Sequence, residues 1–265
     1  RLDWNWSIFE QSGLGKIDFT SMESWFTPVE KLGIKALPVL TCAPEWAKTA
    51  DGLFDRGAHA AYVRRVASRF KSRIHAYDLW NEPESIMTTD AQRDFWVEVM
   101  KGGHEAIKSV DPTISVVGPS VSVNSGGDSG WTDALLKPPR SIGQYLDAWD
   151  SHTYPAPRNR RPELSHQRVH SSVDGLAQSV PEIRKLVKGG QLWVTEYGFS
   201  TCDPNDPRTL ESARNTPVLA PGDVDEEQQA NYLVRHTLLQ LAYGIDKVFL
   251  YQLGPDGEGG YIEEQ

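Results

Sequence analysis

Short apolar runs alternate with amphipathic segments along the whole chain. Seven runs predict β-strands, at residues 1–7, 34–41, 74–80, 114–119, 146–153, 192–195 and 247–252. Several of them are apolar or aromatic almost throughout, which is typical of strands buried on both faces. We therefore expect these strands to form the inner layer of an α/β fold.

Segments with helical spacing of apolar residues separate the strands. They lie at residues 20–32, 58–70, 90–110, 172–187 and 224–243. Gly33 and Gly244 directly follow two of them, and Asp225 to Gln228 open the last one, as helix termini favour. Strands that alternate with helices predict a parallel sheet with helices outside it.

The strand count is one short of the eight strands that close a (β/α)8 TIM barrel. The chain has 265 residues and no linker or short repeat, so one barrel of about 250 residues would nearly fill it. We expect a single barrel domain over residues 1–265 that lacks the first strand and the flanking first and last helices. The native N-terminus would then precede Arg1, and the domain would be incomplete at both ends. Loops at residues 121–131 and 203–223 are expected to shape a binding cleft.

Composition excludes several classes of partner. A net charge of -9 argues against nucleic acid, because nucleic-acid binders cluster Lys and Arg. No apolar run approaches the 18 residues of a membrane-spanning helix, so we expect no membrane span. Cys42 and Cys202 lie far apart in the chain, and we expect free, partly buried thiols.

Two glutamates differ from the other acidic residues because each ends an apolar strand. Glu82 lies in Asp-Leu-Trp-Asn-Glu-Pro-Glu, where Pro83 prevents further sheet pairing, and Glu196 ends Leu-Trp-Val-Thr-Glu. A carboxylate there is costly unless it has partners or a function. Each alone could be a structural carboxylate bonded to the backbone or to Arg. Together, two carboxylates at the ends of parallel strands can break a glycosidic bond.

These motifs resemble those of the retaining glycoside hydrolases of clan A, most closely family 39 and its neighbours, with family 5 more distant. The resemblance covers nearly the whole chain. It implies a (β/α)8 barrel in which Glu82 is the acid/base after the fourth strand and Glu196 the nucleophile after the seventh. Arg1 would reach the nucleophile from the second strand, and His152 and Tyr154 would line the site from the sixth. Family 5 enzymes carry a His on strand three and a Trp on strand eight, where this chain offers Cys42 or Ala43 and Tyr251.

The chemistry sets further expectations for these residues. Glu82 must carry a proton, so its pKa should be raised, whereas Glu196 must stay ionised and needs donors such as Arg1 and Tyr154. Asn81 can donate to a sugar 2-hydroxyl. His152 could bind a sugar hydroxyl, orient a carboxylate, or be a satisfied core histidine. Trp46, Trp131 and Tyr197 each follow a strand and could be sugar platforms, with core packing as the equal alternative. Tyr251, on the strand that resembles the family's eighth, is a further candidate for substrate binding.

The sequence thus predicts an O-glycosyl hydrolase that retains configuration and cleaves β-linked polysaccharides or oligosaccharides. A non-catalytic carbohydrate-binding barrel and a transglycosylase stay open as alternatives. His166 and His170 are four residues apart, but no acidic ligand is evidently paired with them, so we expect no metal and no cofactor. Because polymeric substrates do not enter cells, we expect a secreted or periplasmic protein. The oligomeric state is left open.

Overall fold

Seven parallel strands form one curled sheet in the computed structural model. The structure describes residues 1–122, 130–154, 162, 169, 175–199 and 224–251. Within them the strands are β1 (Leu2–Asp3), β2 (Pro38–Val39), β3 (Ala76–Asp78), β4 (Ser115–Ser122), β5 (Ala148–His152), β6 (Gln191–Tyr197) and β7 (Lys247–Leu250). Each strand pairs with the next one along the chain, in the order β1 to β7.

Helices connect consecutive strands. They are α1 (Trp6–Phe9), α2 (Phe19–Lys31), α3 (Arg56–Arg69), α4 (Asp90–Val110), α5 (Trp131–Leu136), α6 (Leu176–Arg184) and α7 (Glu226–Ala242). Short 3₁₀ helices lie at Glu45–Ala47, Pro83–Ser85 and Ile142–Tyr145. Thr89 and Gln92 form a capping box at α4, and Asp225 and Gln228 form one at α7, so both helices begin where the sequence places them.

The predicted alternation of strands and helices is therefore confirmed, although β4 and β6 are longer than the predicted runs and the other five strands are shorter. Residues 1–7 yield only two strand residues, because the backbone turns into α1 at Trp6. The short helices α1 and α5 were not predicted. Within the described residues β1 and β7 are the two edges of the sheet and do not pair with each other.

The inner face of the sheet changes from apolar to polar toward the carboxyl ends of its strands. At the amino ends Leu37, Val117, Ala148 and Trp193 pack together. Nearer the carboxyl ends of β3 and β5, the inward positions are Asp78 and Asp150, both fully buried. Beyond them, on the same face, come His152 and Glu196. This gradient concentrates ionisable groups at the carboxyl-end opening, where sites of parallel barrels lie.

Candidate active site

Glu82 reaches the opening because the backbone after β3 takes an unusual path. Trp80 and Glu82 both have positive φ, at 95° and 43°, a region that costs energy for residues other than Gly. The Trp80 ring stacks on Phe54 with centroids 4.5 Å apart, and the Glu82 amide donates to the Ser120 carbonyl oxygen at 2.9 Å. Pro83 then starts a 3₁₀ helix. Packing and pairing thus hold a strained turn that exposes the Glu82 carboxyl.

Glu196 lies in β6 at an irregularity in the strand pairing. The register between β5 and β6 shifts between Ser151 and His152, so that His152 lies opposite Glu196. Such an irregularity redirects side chains that strict alternation would place on opposite faces. His152 and Glu196 therefore reach the same opening, and Glu196 is only 8% exposed.

Two donors hold the Glu196 carboxylate from different sides. The guanidinium of Arg1 donates from Nη1 to Oε1, and the hydroxyl of Tyr154 donates to Oε2 at 2.8 Å. These are the contacts that the sequence analysis expects of a carboxylate kept ionised. Burial would lower the pKa of Arg1, but the negative charge of the surrounding carboxyl groups, Glu196 among them, outweighs it and raises that pKa. The carboxylate of Glu196 thus faces a permanent cation.

Asn81 is oriented by the same arginine. Arg1 Nη2 donates to Asn81 Oδ1, so the side-chain amide nitrogen is directed away from the guanidinium. That nitrogen is a donor, as a contact with a sugar hydroxyl requires.

His152 lies between the two glutamates. Its Nδ1 is 2.8 Å from Glu82 Oε1 and 3.4 Å from Glu196 Oε2, and the side chain is fully buried. Of the three roles kept open for this residue, the geometry matches the orientation of a carboxylate. The contacting oxygens of Glu82 and Glu196 lie within 4.8 Å of one another.

The expected rise in the pKa of Glu82 is wrong for this structure. Burial alone would raise that pKa, but the hydrogen bond and charge of His152, with the charge of Arg1 and a hydrogen bond from Ser122, outweigh it. The pKa of Glu82 therefore lies below its ordinary value. Sequence reasoning considered burial and the second carboxylate, but not the donors that surround the first one.

The four aromatic candidates occupy different environments. Trp131 and Tyr197 are each 4% exposed and pack in the main core, so core packing describes these two rings. The Tyr197 ring also stacks on His236, and its hydroxyl bonds Thr237. Trp46 is partly buried, and its indole nitrogen donates to the Glu10 carbonyl oxygen at 2.7 Å. Tyr251 follows β7 and is 38% exposed.

Other predictions concern cysteines, histidines and loops. Cys42 is free, as expected, but it is exposed and not partly buried, because the chain leaves the sheet directly after β2 with φ of 60° at this residue. Cys202, His166, His170 and the loop at residues 203–223 lie outside the described residues. Most of the loop at residues 121–131 also lies outside them.

Three residues of the site could together hold a metal ion. Glu82, His152 and Glu196 each offer a ligand atom to one point, and no other group of this kind occurs in the described part of the chain. The Arg1 guanidinium already donates to Glu196, and a cation beside it would be repelled. The expectation of no metal stays a prediction.

Sequence reasoning missed Glu84, which lies beside the site. Its Oε1 accepts a hydrogen bond from the Ser122 amide at 3.0 Å, while its Oε2 is buried without a hydrogen-bond partner in the described residues. Burial, with a smaller contribution from the charge of Glu82, raises the pKa of Glu84 to about 7. Its signal in the sequence was weak, because Glu84 follows a proline in what reads as an exposed turn.

Comparisons with known proteins point in one direction. No known family profile matches the sequence. A curated β-xylosidase from Geobacillus stearothermophilus is 24% identical over 161 residues, which are 57% of this chain and 31% of that protein. A family 39 glycoside hydrolase structure from Bacteroides cellulosilyticus WH2 superposes on 98% of this chain with a TM-score of 0.69 and 20% identity. A family 39 β-xylosidase structure from Caulobacter crescentus covers 94% with a TM-score of 0.56 and 18% identity.

The chain has the fold of family 39 glycoside hydrolases. Its seven strands correspond to a truncated (β/α)8 barrel, and the predicted resemblance to clan A is confirmed at the level of the fold. The chain spans 51% and 53% of the lengths of the two solved structures. In the described residues no helix is long and apolar enough to cross a bilayer.

Proposed function

We propose that the chain carries the active site of a retaining glycoside hydrolase that cleaves β-glycosidic bonds. The observation that carries this proposal is the spacing of two carboxylates that extend from separate strand ends. One oxygen of Glu82 lies within 4.8 Å of one oxygen of Glu196. This close approach supports the arrangement of retaining enzymes, whose carboxyl groups are about 5–5.5 Å apart, over that of inverting enzymes, whose carboxyl groups are about 6.5–9.5 Å apart.

In this mechanism Glu196 is the nucleophile. One oxygen of its carboxylate attacks the anomeric carbon, and the bond from that carbon to the leaving oxygen breaks. Arg1 and Tyr154 keep the carboxylate ionised and fix its orientation through one hydrogen bond to each oxygen. The product of this step is a covalent glycosyl-enzyme, which water then hydrolyses.

Glu82 supplies the proton for the leaving oxygen and later removes one from the attacking water. Without substrate, its pKa is lowered by His152, Arg1 and Ser122 despite its burial. A sugar in the cleft would displace water from Glu82, and that desolvation favours the protonated form. Once Glu196 has formed the glycosyl ester, it carries no charge for Arg1 to stabilise. His152 stays hydrogen-bonded to Glu82 during the second step, the hydrolysis of the glycosyl-enzyme.

The substrate is proposed to be a β-linked oligosaccharide or polysaccharide. A curated relative and one solved structure are both described as β-xylosidases, so β-xylosides are the first substrates to test. Asn81 is oriented to donate to a sugar 2-hydroxyl, and Tyr251 offers an exposed ring at the edge of the opening. Polymeric substrates would place the protein in the extracellular space or periplasm.

Two other functions use the same residues. A transglycosylase would differ in how well water is kept from the glycosyl-enzyme. A carbohydrate-binding barrel would bind sugar without using either glutamate in catalysis. The glycosidase is favoured over the binding barrel because Glu196 has the two donors that a carboxylate nucleophile requires and a second carboxylate, Glu82, lies close to it.

Variants of the two glutamates test the assignment with 4-nitrophenyl β-xyloside and a panel of other aryl β-glycosides. Glu196→Gln should abolish turnover, because the amide is a far weaker nucleophile. Glu82→Ala should lose about 10²–10⁴-fold on natural oligosaccharides, whereas on the aryl glycosides it should still form the glycosyl-enzyme, because their leaving groups need no proton, and then hydrolyse it slowly without a base. Azide should restore its turnover and yield a β-glycosyl azide.

Glu98→Gln is the matched control, because Glu98 lies on an exposed face of α4. It should keep full activity. Unchanged turnover in Glu196→Gln would rule out the proposed nucleophile.

A further inference from the structure

Two aspartates are buried together directly beneath the site. Asp78 in β3 and Asp150 in β5 are both fully buried, and so is Ser120 between them. The Ser120 hydroxyl oxygen lies 2.5 Å from Asp78 Oδ2 and also contacts Asp150 Oδ2. Thr195 donates from its hydroxyl to Asp150 Oδ1 at 2.6 Å. A chain of short hydrogen bonds thus links the two carboxyls across β4.

This chain of hydrogen bonds requires one more proton than two ionised carboxylates can supply. A serine hydroxyl has one hydrogen, so it can donate to one carboxyl only. Its contact with the other carboxyl must use a serine lone pair, and an ionised carboxylate has no hydrogen to give. Two lone pairs facing each other at so short a distance would repel. One of the two aspartates must therefore be protonated.

We propose that Asp78 and Asp150 share one proton at neutral pH, that Asp78 holds it, and that this neutral acid positions Arg1 beneath Glu196. The hydrogen bonds then run from Asp78 to Ser120 and from Ser120 to Asp150. The pair of aspartates neither loses nor gains a proton during the proposed reaction, so it affects catalysis only through the position of Arg1.

The surrounding donors decide which aspartate is protonated. Asp150 accepts from Ser120 at Oδ2 and from Thr195 at Oδ1, so each of its two oxygens already faces a hydroxyl donor. Asp78 has no such second donor, because its Oδ1 lacks a hydrogen-bond partner in the described residues. Burial, followed by the charge of Asp150, raises the pKa of Asp78 well above its ordinary range.

Arg1 is the opposing influence. Its Nη2 lies 3.6 Å from Asp78 Oδ2 and favours the ionised form, but its nitrogens donate to Glu196 and Asn81 instead. Within the described part of the chain, the other acidic groups that interact with this arginine are Asp3, Glu82, Glu196 and Asp150. One cation thus faces several carboxyl groups. A proton on Asp78 neutralises the carboxyl group that would otherwise compete with Asn81 for Arg1 Nη2. Ionised Asp78 would instead draw Arg1 toward the core and away from Glu196.

Infrared spectroscopy tests the shared proton without any assay of catalysis. The carbonyl stretch of a protonated carboxyl is separate from the carboxylate bands. We expect it at pH 8 in Glu84→Gln protein, a background in which the other raised pKa near the site is absent. The band should vanish when Asp78→Asn is added. It should persist when Asp147→Asn is added, because Asp147 is ion-paired with Lys108 at 2.6 Å.

Absence of the band in folded protein would overturn the proposal, and so would a band that survives Asp78→Asn. If Asp78→Asn does not fold, carboxyl ¹³C NMR of aspartate-labelled Glu84→Gln protein gives the same answer. One aspartate signal should keep the shift of a neutral acid at pH 8, and its absence would contradict the proposal.

The positioning role rests on the proposed function and has its own test. The side-chain amide introduced by Asp78→Asn can donate to Ser120 as a neutral acid does, so this variant should keep the wild-type kcat, whereas Asp78→Ala should lose about tenfold. An alkaline fall in kcat caused by ionisation of Asp78 should be absent in Asp78→Asn. Equal loss in the two variants would overturn the positioning role, while the infrared band would still stand or fall independently.

Discussion

Glu82 and Glu196 are chemically identical side chains in different surroundings. Glu196 receives one hydrogen bond from Arg1 and one from Tyr154, and both partners favour its ionised form. Glu82 instead combines burial, which raises its pKa, with the hydrogen bond and charge of His152, which lower it. Two donors thus hold the proposed nucleophile, whereas the protonation of the proposed acid/base depends on a balance of opposing influences. This difference is the division of labour that a two-step mechanism needs.

Glu84 gives a prediction at the residue scale. Its pKa is raised to about 7 by burial, against about 4.3 in an unfolded chain, so the folded state binds the extra proton between these values. The contribution of Glu84 to the free energy of unfolding should therefore be greatest below about pH 4.3 and should be lost as the pH rises through about 7. Glu84→Gln removes this dependence and keeps the oxygen that accepts from Ser122.

The free energy of unfolding, measured in urea from pH 5 to pH 8, checks this prediction. Glu84→Gln should gain about 2 kcal/mol relative to wild type across that range. The exposed control Glu98→Gln should follow wild type. Parallel pH curves for wild type and Glu84→Gln would contradict the assigned burial.

From the residue pattern itself, site residues could be predicted only where they lie at the end of a predicted strand. Glu82 and Glu196 each end an apolar run, and the resemblance added Arg1, Asn81, His152 and Tyr154. The pair Asp78 and Ser120 could not be found this way, because their contact depends on an irregularity in β4 between Gly118 and Val121. Likewise, the lowered pKa of Glu82 depends on side chains far away in sequence.

At the scale of elements, the fold depends on close approach of α4 to β3. A Cβ atom at Gly103 would lie 2.5 Å from Leu79 Cδ1, whereas one at Gly102 would lie 3.5 Å from the Ala60 Cβ. Leu79 directly precedes the strained turn at Trp80. The contact at Gly103 therefore fixes the helix against the strand that carries Glu82.

Adjacent glycines in one helix give a matched pair of variants. Gly103→Ala should lower the free energy of unfolding by about 1–3 kcal/mol through overpacking against Leu79. Gly102→Ala should raise it by up to about 1 kcal/mol, because alanine favours the helix and the added methyl makes an ordinary contact. Denaturant unfolding of both variants checks this prediction. Equal effects would show that α4 does not approach β3 this closely.

Element boundaries were harder to predict than element types. The apolar run at residues 1–7 reads as a strand, but tertiary packing buries Trp4 and Trp6 on both sides of a bend and a four-residue helix follows. Capping residues gave better boundaries. Thr89 caps α4, which begins at the predicted residue 90, and Asp225 caps α7, which begins two residues after the predicted 224, because a cap acts through local hydrogen bonds.

At the scale of the molecule, the outermost helix α7 buries polar residues and exposes apolar ones. His236 and Gln240 are fully buried, while Val234 and Leu238 are each 60% exposed and Leu241 is 45% exposed. This helix packs against β7, an edge strand of the sheet in the described residues. The helical spacing of its apolar residues predicts a stripe that faces the core, but the structure leaves Val234 and Leu238 exposed.

Substitutions on α7 distinguish the exposed stripe from the buried face. Val234→Lys with Leu238→Lys should reduce binding of an apolar fluorescent dye and change the free energy of unfolding by no more than about 0.5 kcal/mol. Leu233→Lys is the matched control, because Leu233 packs against the main core and should cost several times more. Loss of stability in the double variant comparable to that of the control would show that the stripe is buried.

In the proposed mechanism Glu196 forms a covalent bond to the sugar. A 2-deoxy-2-fluoro-β-xyloside with a dinitrophenolate leaving group forms a glycosyl-enzyme faster than water removes it, so the intermediate accumulates. Mass spectrometry of the digested protein should find one added fluorosugar, and fragmentation should place it on Glu196. A sugar attached to Glu82, or no adduct in protein that turns over the matching β-xyloside, would rule out Glu196 as the nucleophile.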